Sequence, residues 1–245
     1  MVKYGQRPPM TSRENFFDGN DTRKWSNHAR EQLEGVPPGS TPTSMPSGNE
    51  EQAGTTGPFP DYIKEHNIQG TGVDFGCGTS IHRNTWNGMH YIGIDQNPEM
   101  LVGATKRWQG RENLKVLSSL WYGTPLGKIT DNFPELIGVG DAGVSITVLQ
   151  HNHYEDGKEM LDQIYKVLKP GAPYFFMEGT YEDRWFPAEN RIRHDYGDAD
   201  PIDPNNLEPL KGQCMFTVKG WHHFLAEHGF KVIYDENSHY IAIRQ

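Results

Sequence analysis

The chain has 245 residues, a formal net charge of −9 and only two cysteines, Cys77 and Cys214. The acidic balance argues against nucleic acid as a partner, and two cysteines cannot build a disulfide framework or a cysteine-type zinc site. Without an apolar N-terminal signal or a run of about 18 apolar residues, the sequence predicts a cytoplasmic protein that has no membrane partner.

The first 58 residues are predicted to form an appendage. They hold seven of the 17 prolines, and the stretch from Gly35 to Gly57 has almost no apolar residues, which is typical of a flexible linker. The aromatic residues between Phe16 and Leu33 favour a short helix that closes over a ligand as a lid. The alternative is a partly ordered tail packed outside the main domain. We therefore divide the chain into a lid and linker at 1–58 and one α/β domain at 59–245.

A short apolar strand beginning at Val73 runs into a glycine-punctuated turn with the sequence Gly76-Cys77-Gly78. Both glycines can adopt positive φ and let a ligand approach the main chain without a Cβ in the way. A second strand, residues 89–95, ends on Asp95, whose carboxylate is placed to accept both hydroxyls of a ribose. The pair predicts a site for a nucleotide-like cofactor, although a Gly-x-Gly turn alone also occurs in ordinary tight turns.

Strand and helix patterns alternate through the rest of the domain. The predicted helices lie at 60–66, within 80–87, after an Asn97 cap followed by Pro98 and Glu99, after a capping box made by Asp156 and Glu159, and around 221–228. The predicted strands lie at 113–117, 144–149 and 173–177, with a terminal hairpin at 230–234 and 239–243. Between the last parallel strand and the final helix lies a long aromatic, proline-rich insertion at 181–217, which we expect on the substrate side.

The domain resembles the class I S-adenosylmethionine-dependent methyltransferase family in four segments that occur in the family's order: VDFGCGTS, YIGIDQNPEML, VSITVLQH and YKVLKPGAPYFF. The resemblance is close over residues 60–180. It implies a three-layer Rossmann-like α/β fold whose mostly parallel, seven-stranded sheet closes with an antiparallel hairpin. It also implies S-adenosylmethionine as the cofactor, with S-adenosylhomocysteine as its product.

By this resemblance the cofactor's parts are assigned to particular residues. Those expected at the cofactor are Asp74, Gly76, Cys77 and Gly78 for the methionine portion, Asp95 for the ribose, Gln96, Ser119 and Leu120 for the adenine, and Thr147 and Val148 for the pocket floor. The chain departs from the family in two places. No acidic residue follows the third predicted strand, which leaves the adenine to Ser119, and Ser80 replaces a third glycine, either tightening the turn or marking a position with negative φ. Asp95 could alternatively be only a helix-capping acid.

Residues just past the fourth strand are expected on the acceptor side. His151 is the predicted general base, since histidine can deprotonate a hydroxyl or amine near neutral pH; the alternative is a histidine that only shapes the loop. The predicted substrate contacts are His153, Glu178, Tyr181, Arg184, Trp185, Arg191 and Arg193. The arginines suit a carboxylate or phosphate, but neighbouring acids could pair with them instead. No metal site is predicted.

The sequence therefore predicts an enzyme that transfers a methyl group to the O or N of a small or medium-sized acceptor by in-line displacement. Two alternatives stay open: a methyltransferase acting on a protein or RNA, and a module that binds the cofactor without catalysing transfer.

Overall fold

A computed structural model describes residues 2–4, 57–80, 82–108, 116–180, 205, 207–209 and 214–245. The lid predicted within residues 16–33 and most of the 181–217 insertion lie outside these residues. The division at residue 58 stays a prediction.

The described residues form one eight-stranded sheet with helices on both faces. Its strands are β1 (Val2–Tyr4), β2 (Thr71–Phe75), β3 (His90–Asp95), β4 (Ser118–Gly123), β5 (Ala142–Ile146), β6 (Pro173–Met177), β7 (Phe230–Glu236) and β8 (His239–Arg244). The helices are α1 (Phe59–Glu65), α2 (Pro98–Trp108), α3 (Ile129–Asn132), α4 (Tyr154–Val167) and α5 (Val218–Glu227). Short 3₁₀ helices lie at Arg83–Trp86, Leu126–Lys128, Pro134–Leu136 and Leu149–His151.

The strand order is β1-β4-β3-β2-β5-β6-β8-β7, with β1 to β6 parallel and β8 antiparallel to both β6 and β7. This arrangement confirms the predicted α/β class, the mostly parallel sheet and the terminal hairpin. It also brings the carboxyl ends of β2, β3, β4, β5 and β6 to one edge, called here the carboxyl edge. Ligands of open α/β sheets bind at that edge.

Side chains alternate between the two faces of the sheet and supply two separate cores. On β2, Val73 and Phe75 pack with the apolar stripe of α4 and with α5, while the neighbouring positions, Gly72 and Asp74, face the opposite layer. That second layer contains α1, α2 and the fully buried Trp86. Asp74 is therefore placed inside the domain, beneath the glycine turn.

The eighth strand comes from the predicted appendage. Val2–Tyr4 pairs in parallel with β4, and Lys3 Nζ lies 3.2 Å from Glu135 Oε1 and 5.1 Å from the centre of the Tyr122 ring. The Tyr4 ring crosses Gly123, whose missing Cβ would stand 2.4 Å from it. The first residues of the appendage are thus part of the sheet, which is one strand larger than predicted.

Four local predictions were wrong. The third parallel strand is Ser118–Gly123 instead of 113–117, because its register is set by pairing with β3, where His90 faces Ser118 and Asp95 faces Gly123. Among the described residues of 80–87, the helix is the four-residue 3₁₀ helix Arg83–Trp86. The fourth parallel strand already ends at Ile146, and α4 begins at Tyr154 with His153 at its N-cap, three residues before the predicted cap at Asp156. In contrast, the Asn97 cap is confirmed, since its Oδ1 accepts from the N–H of Glu99 at 2.9 Å.

Gly72 leaves the space that the Trp86 ring fills, because an added Cβ would stand 2.1 Å from Trp86 Cε3. We expect Gly72→Ala to lower the free energy of unfolding by about 3 kcal/mol, since overpacking forces side chains off their rotamers. The measurement is urea unfolding of Gly72→Ala, of Trp86→Leu and of the double variant. If the clash with the Trp86 ring is the cause, the double variant loses less free energy of unfolding than the two single variants together. Strictly additive losses would contradict the clash as the cause.

Candidate cofactor and acceptor site

The glycine turn after β2 is anchored to β3 by its main chain. The N–H groups of Gly76 and Cys77 both donate to the carbonyl oxygen of Ile94, at 2.8 and 3.0 Å. Gly76 and Gly78 have φ of +72° and +52°, a region in which side chains are strained. The positive φ expected at these glycines is confirmed.

The two glycines have different surroundings. A Cβ on Gly76 would stand 2.6 Å from Val148 Cγ2, so this position is closed by the loop after β5. A Cβ on Gly78 would meet only Met100 Sδ, at 3.9 Å. The space over Gly78 is open to a ligand, whereas Gly76 brings the turn into contact with the neighbouring loop.

Asp95 ties the turn to the following helix. Its Oδ2 accepts from the N–H of Gly78 and its Oδ1 from the N–H of Asn97, each at 2.8 Å. Burial raises the pKa of Asp95, and these two N–H groups act in the opposite direction. The carboxylate does hold the chain before α2, as the capping alternative expected, but each oxygen keeps a lone pair for a further donor such as a ribose hydroxyl.

Asp74 lies one layer deeper and is 3% exposed. Its Oδ2 accepts from the Tyr91 hydroxyl at 2.9 Å. Desolvation raises the pKa of Asp74 to about 7; Tyr91 lowers it and Asp95 raises it further. Cys77 is also buried, and burial is the main cause that raises the pKa of its thiol. Ser80 has a φ of +57°, so the negative-φ alternative is wrong.

Glu178 organises the acceptor-side loop, residues 147–153. Its Oε1 accepts from the N–H groups of Val148 and Leu149 at 2.9 Å, and its Oε2 from the N–H of Gln150 at 3.2 Å. Gln150 Oε1 in turn accepts from the N–H of Gly179. Glu178 is 0% exposed and its carboxylate is turned toward main-chain donors; its role as a substrate contact stays a prediction. Burial also raises the pKa of Glu178 to about 7.

The rest of the acceptor-side loop presents its residues at the carboxyl edge. Thr147 has φ of +53°, which is strained for a β-branched residue, and its N–H donates to Met177 O at 2.7 Å. His151 ends the 3₁₀ helix Leu149–His151 and is partly exposed, with its Nε2 3.4 Å from Gln150 Nε2. Thr147, Val148, His151 and His153 are thus brought to one loop that touches the glycine turn.

The predicted adenine contacts are separated by the register of β4. Gln96 is exposed directly after Asp95, at the carboxyl edge. Ser119 and Leu120 lie in the amino-terminal half of β4, where Ser119 Oγ accepts from Arg83 Nε at 2.8 Å, so their expected place after the strand was wrong. Thr124 takes that place, and its N–H donates to Asp95 O at 3.0 Å. The sequence Gly-Thr-Pro, directly after the aromatic pair Trp121-Tyr122, was the sequence signal for the end of β4.

Five of the predicted substrate contacts, Tyr181, Arg184, Trp185, Arg191 and Arg193, lie outside the described residues. Within the described part of the chain, no group of three or more His, Cys, Asp or Glu residues is placed to hold a metal ion.

Comparisons with known proteins agree with this fold. A family profile described as "Methyltransferase domain" matches residues 73–176, and no curated protein sequence matches the chain. A solved structure of a complex of DhpI with SAM and HEP aligns with a TM-score of 0.58 at 16% identity, covering 93% of this chain and 97% of that one. A SAM-dependent methyltransferase from Methanosarcina mazei aligns with a TM-score of 0.54 at 18% identity, covering 75% and 97%.

A third solved structure is that of the CurJ carbon methyltransferase. It aligns with a TM-score of 0.51 at 16% identity over 72% of this chain, and the present chain spans about half of its length, 49%.

The matched profile, the order of the strands and the glycine turn next to Asp95 define a Rossmann-like methyltransferase domain. Residues 73–176 match the methyltransferase-domain family, and S-adenosylmethionine is the cofactor that this match and the fold imply. None of the described helices is both long and apolar enough to cross a membrane.

Gly78→Ala is expected to weaken cofactor binding by at least 10-fold, because the new Cβ would enter the open space over the turn. Gly138→Ala is the matched control: its φ is +65° and nothing lies within 4 Å of an added Cβ, so it carries similar backbone strain far from the site. Both variants should lose about 1 kcal/mol of stability. The measurement is calorimetric titration with S-adenosylhomocysteine. Equal affinities in the two variants would contradict the conclusion that the cofactor occupies the space over Gly78.

The buried carboxyls predict a particular pH dependence of stability. A carboxyl whose pKa is raised in the folded state keeps its proton while the unfolded chain has released it, so stability is highest at low pH and falls as pH rises. For Glu178 the fall runs from pH 4.5 to about 7 and amounts to about 3 kcal/mol. Urea unfolding of the wild type and of Glu178→Gln across this range measures it. The variant should have a smaller slope; an unchanged slope would rule Glu178 out as its source.

Proposed function

We propose that the protein transfers a methyl group from S-adenosylmethionine to the O or N of a small or medium-sized acceptor by in-line displacement. The observation that carries this proposal is the contact between the two halves of the site. Gly76 lies so close to Val148 that a Cβ would not fit between them, so a ligand over Gly78 borders directly on the acceptor-side loop.

The residues at the carboxyl edge divide the binding of the cofactor among them. The main chain at Gly78 borders the methionine portion, and Asp95 accepts from the ribose hydroxyls with the lone pairs that Gly78 and Asn97 leave unused. Gln96 and Thr124 flank the adenine from the ends of β3 and β4. When bound, the cofactor supplies an electrophilic methyl group on a positively charged sulfur.

The chain contributes positioning more than proton transfer. The loop from Thr147 to His153 is fixed by Glu178, so an acceptor bound against it is held facing the turn in near-attack geometry. His151 is the group of this loop suited to take a proton from a hydroxyl or amine. A small acceptor is favoured over RNA by the formal net charge of −9, which disfavours a polyanionic partner.

Carbon is one further class of acceptor atom to be tested. CurJ, a structural neighbour of this chain, is a carbon methyltransferase. An assay of the acceptor should therefore include activated carbon acids beside alcohols and amines.

The proposal is tested by incubating the protein with S-adenosylmethionine labelled in the methyl group and a fractionated metabolite pool, RNA and cell protein. Label is expected in the small-molecule fraction. Label confined to RNA or protein would overturn the small acceptor, and cofactor binding without any transfer would overturn the activity.

His151→Asn is expected to lower kcat by about 100-fold, as loss of a general base does, while the KM for S-adenosylmethionine changes little. His153→Asn should instead raise the KM for the acceptor. The control is His223→Asn, on the outer face of α5 next to Glu227, which should match the wild type. Steady-state kinetics from pH 6 to 9 separate these effects. A kcat for His151→Asn within threefold of the wild type would leave this histidine with a role in loop shape only.

A further inference from the structure

Four polar groups form a continuous hydrogen-bonded chain beneath the glycine turn. The Trp121 indole N–H lies 3.0 Å from Ser80 Oγ, Ser80 Oγ lies 2.9 Å from the Tyr91 hydroxyl, and that hydroxyl lies 2.9 Å from Asp74 Oδ2. These residues come from β4, the turn, β3 and β2, so the chain of hydrogen bonds crosses three neighbouring strands. We call it the Trp121–Asp74 relay.

The donors of the relay are the Trp121 indole and the Tyr91 hydroxyl. An indole N–H can only donate, so Trp121 donates to Ser80 Oγ. The Tyr91 hydroxyl lies within donating distance of both Ser80 Oγ and Asp74 Oδ2. When Asp74 is ionised it can only accept, so the Tyr91 hydrogen is then directed at the carboxylate.

The relay is closed to water. Ser80 and Tyr91 are 0% exposed, Asp74 is 3% and Trp121 is 6% exposed. Gly93 makes the room for it, since a Cβ there would stand 2.9 Å from Trp121 Cδ1 and 3.0 Å from the Tyr91 hydroxyl. Without competing water each of these hydrogen bonds constrains its partners more strongly than at a surface.

The relay also explains the residue that replaces the third glycine. Ser80 has φ of +57°, which costs a serine roughly 1–2 kcal/mol. A glycine would avoid that strain but has no hydroxyl to join Trp121 to Tyr91. The segment that follows is only a 3₁₀ helix, Arg83–Trp86, so the turn has little helical support behind it.

We propose that Tyr91, Ser80 and Trp121 are positioning residues for the cofactor: they hold the glycine turn in its open form and fix the Asp74 carboxylate beneath the methionine portion. This rests on the cofactor assignment above. None of the three touches the reacting atoms, so each acts through the turn and through Asp74.

The relay makes cofactor affinity dependent on pH in a specific way. The ammonium of the methionine portion favours an ionised Asp74, whose pKa is about 7, so affinity should rise with pH through that value. Three groups face this carboxylate, namely Tyr91, Cys77 and Asp95, and Arg83 acts on Tyr91. Because the Tyr91 hydrogen bond lowers the pKa of Asp74, removing it should move the rise to higher pH.

The chain provides a matched control in Tyr174. Its hydroxyl lies 2.6 Å from Ser145 Oγ, both residues are 0% exposed, and they belong to the opposite layer of the sheet. Tyr174→Phe removes a buried Tyr–Ser hydrogen bond of the same kind without touching the glycine turn.

The experiment is calorimetric titration of the full chain with S-adenosylhomocysteine from pH 6 to 9. Tyr91→Phe is expected to bind about 10-fold more weakly at pH 7, as loss of a hydrogen bond to a charged group implies, and its affinity should rise at higher pH than in the wild type. Ser80→Ala, which keeps the strained φ but loses the hydroxyl, should change in the same direction. Tyr174→Phe should keep the wild-type affinity and pH midpoint.

Each outcome decides a different statement. If the wild type fails to bind at any pH, the cofactor assignment itself is wrong. If the wild type binds and Tyr91→Phe and Ser80→Ala retain its affinity and pH midpoint, the relay is only structural and the proposal is overturned. Should Tyr91→Phe not fold, Ser80→Ala decides alone, because it removes the hydroxyl that links Trp121 to Tyr91 and leaves the Tyr91 to Asp74 hydrogen bond in place.

Discussion

The burial of three carboxyl groups at one edge of the sheet is the constraint on which the site depends. Asp74, Asp95 and Glu178 all have raised pKa values because they are desolvated, and none forms an ion pair with another described residue. Burying such groups is costly unless donors meet them. Main-chain N–H groups are the donors to Asp95, which fixes the glycine turn and the start of α2, and to Glu178, which fixes the acceptor-side loop. The Tyr91 hydroxyl is the donor to Asp74.

The same arrangement suits a cationic cofactor. An edge that concentrates carboxylates favours a ligand carrying a sulfonium and an ammonium. The positive charges of such a ligand offset the negative charge of the buried carboxylates. The carboxyls thus lower the stability of the protein alone above neutral pH and favour the bound state. Stability and ligand affinity are expected to respond to pH in opposite directions over the same range.

Backbone strain is concentrated at the same edge. Ser80 and Thr147 are non-glycine residues at positive φ, one in the glycine turn and one at the end of β5. Such conformations cost about 1–3 kcal/mol each and persist only where surrounding contacts fix them. Here those contacts are the relay for Ser80 and the hydrogen bond from the Thr147 N–H to Met177 for the loop. Strain on both sides of the Gly76–Val148 contact fits a site built to hold two ligands in one geometry.

The sequence by itself determined the features that local patterns encode. Glycines followed by a hydroxyl residue predicted the turn, the acid ending an apolar strand predicted Asp95, and periodic patterns predicted alternating strands and helices. The resemblance of four segments to a methyltransferase family implied the Rossmann-like sheet and the cofactor class. Only the tertiary structure decided the rest. The register of β4, the pairing of Val2–Tyr4, the inward turn of Glu178 and the relay from Trp121 to Asp74 each join residues far apart in the chain. A periodic pattern shows which residues share a face, but it does not show which strand they meet or which buried donor their side chains find, because those depend on the energies of the assembled sheet.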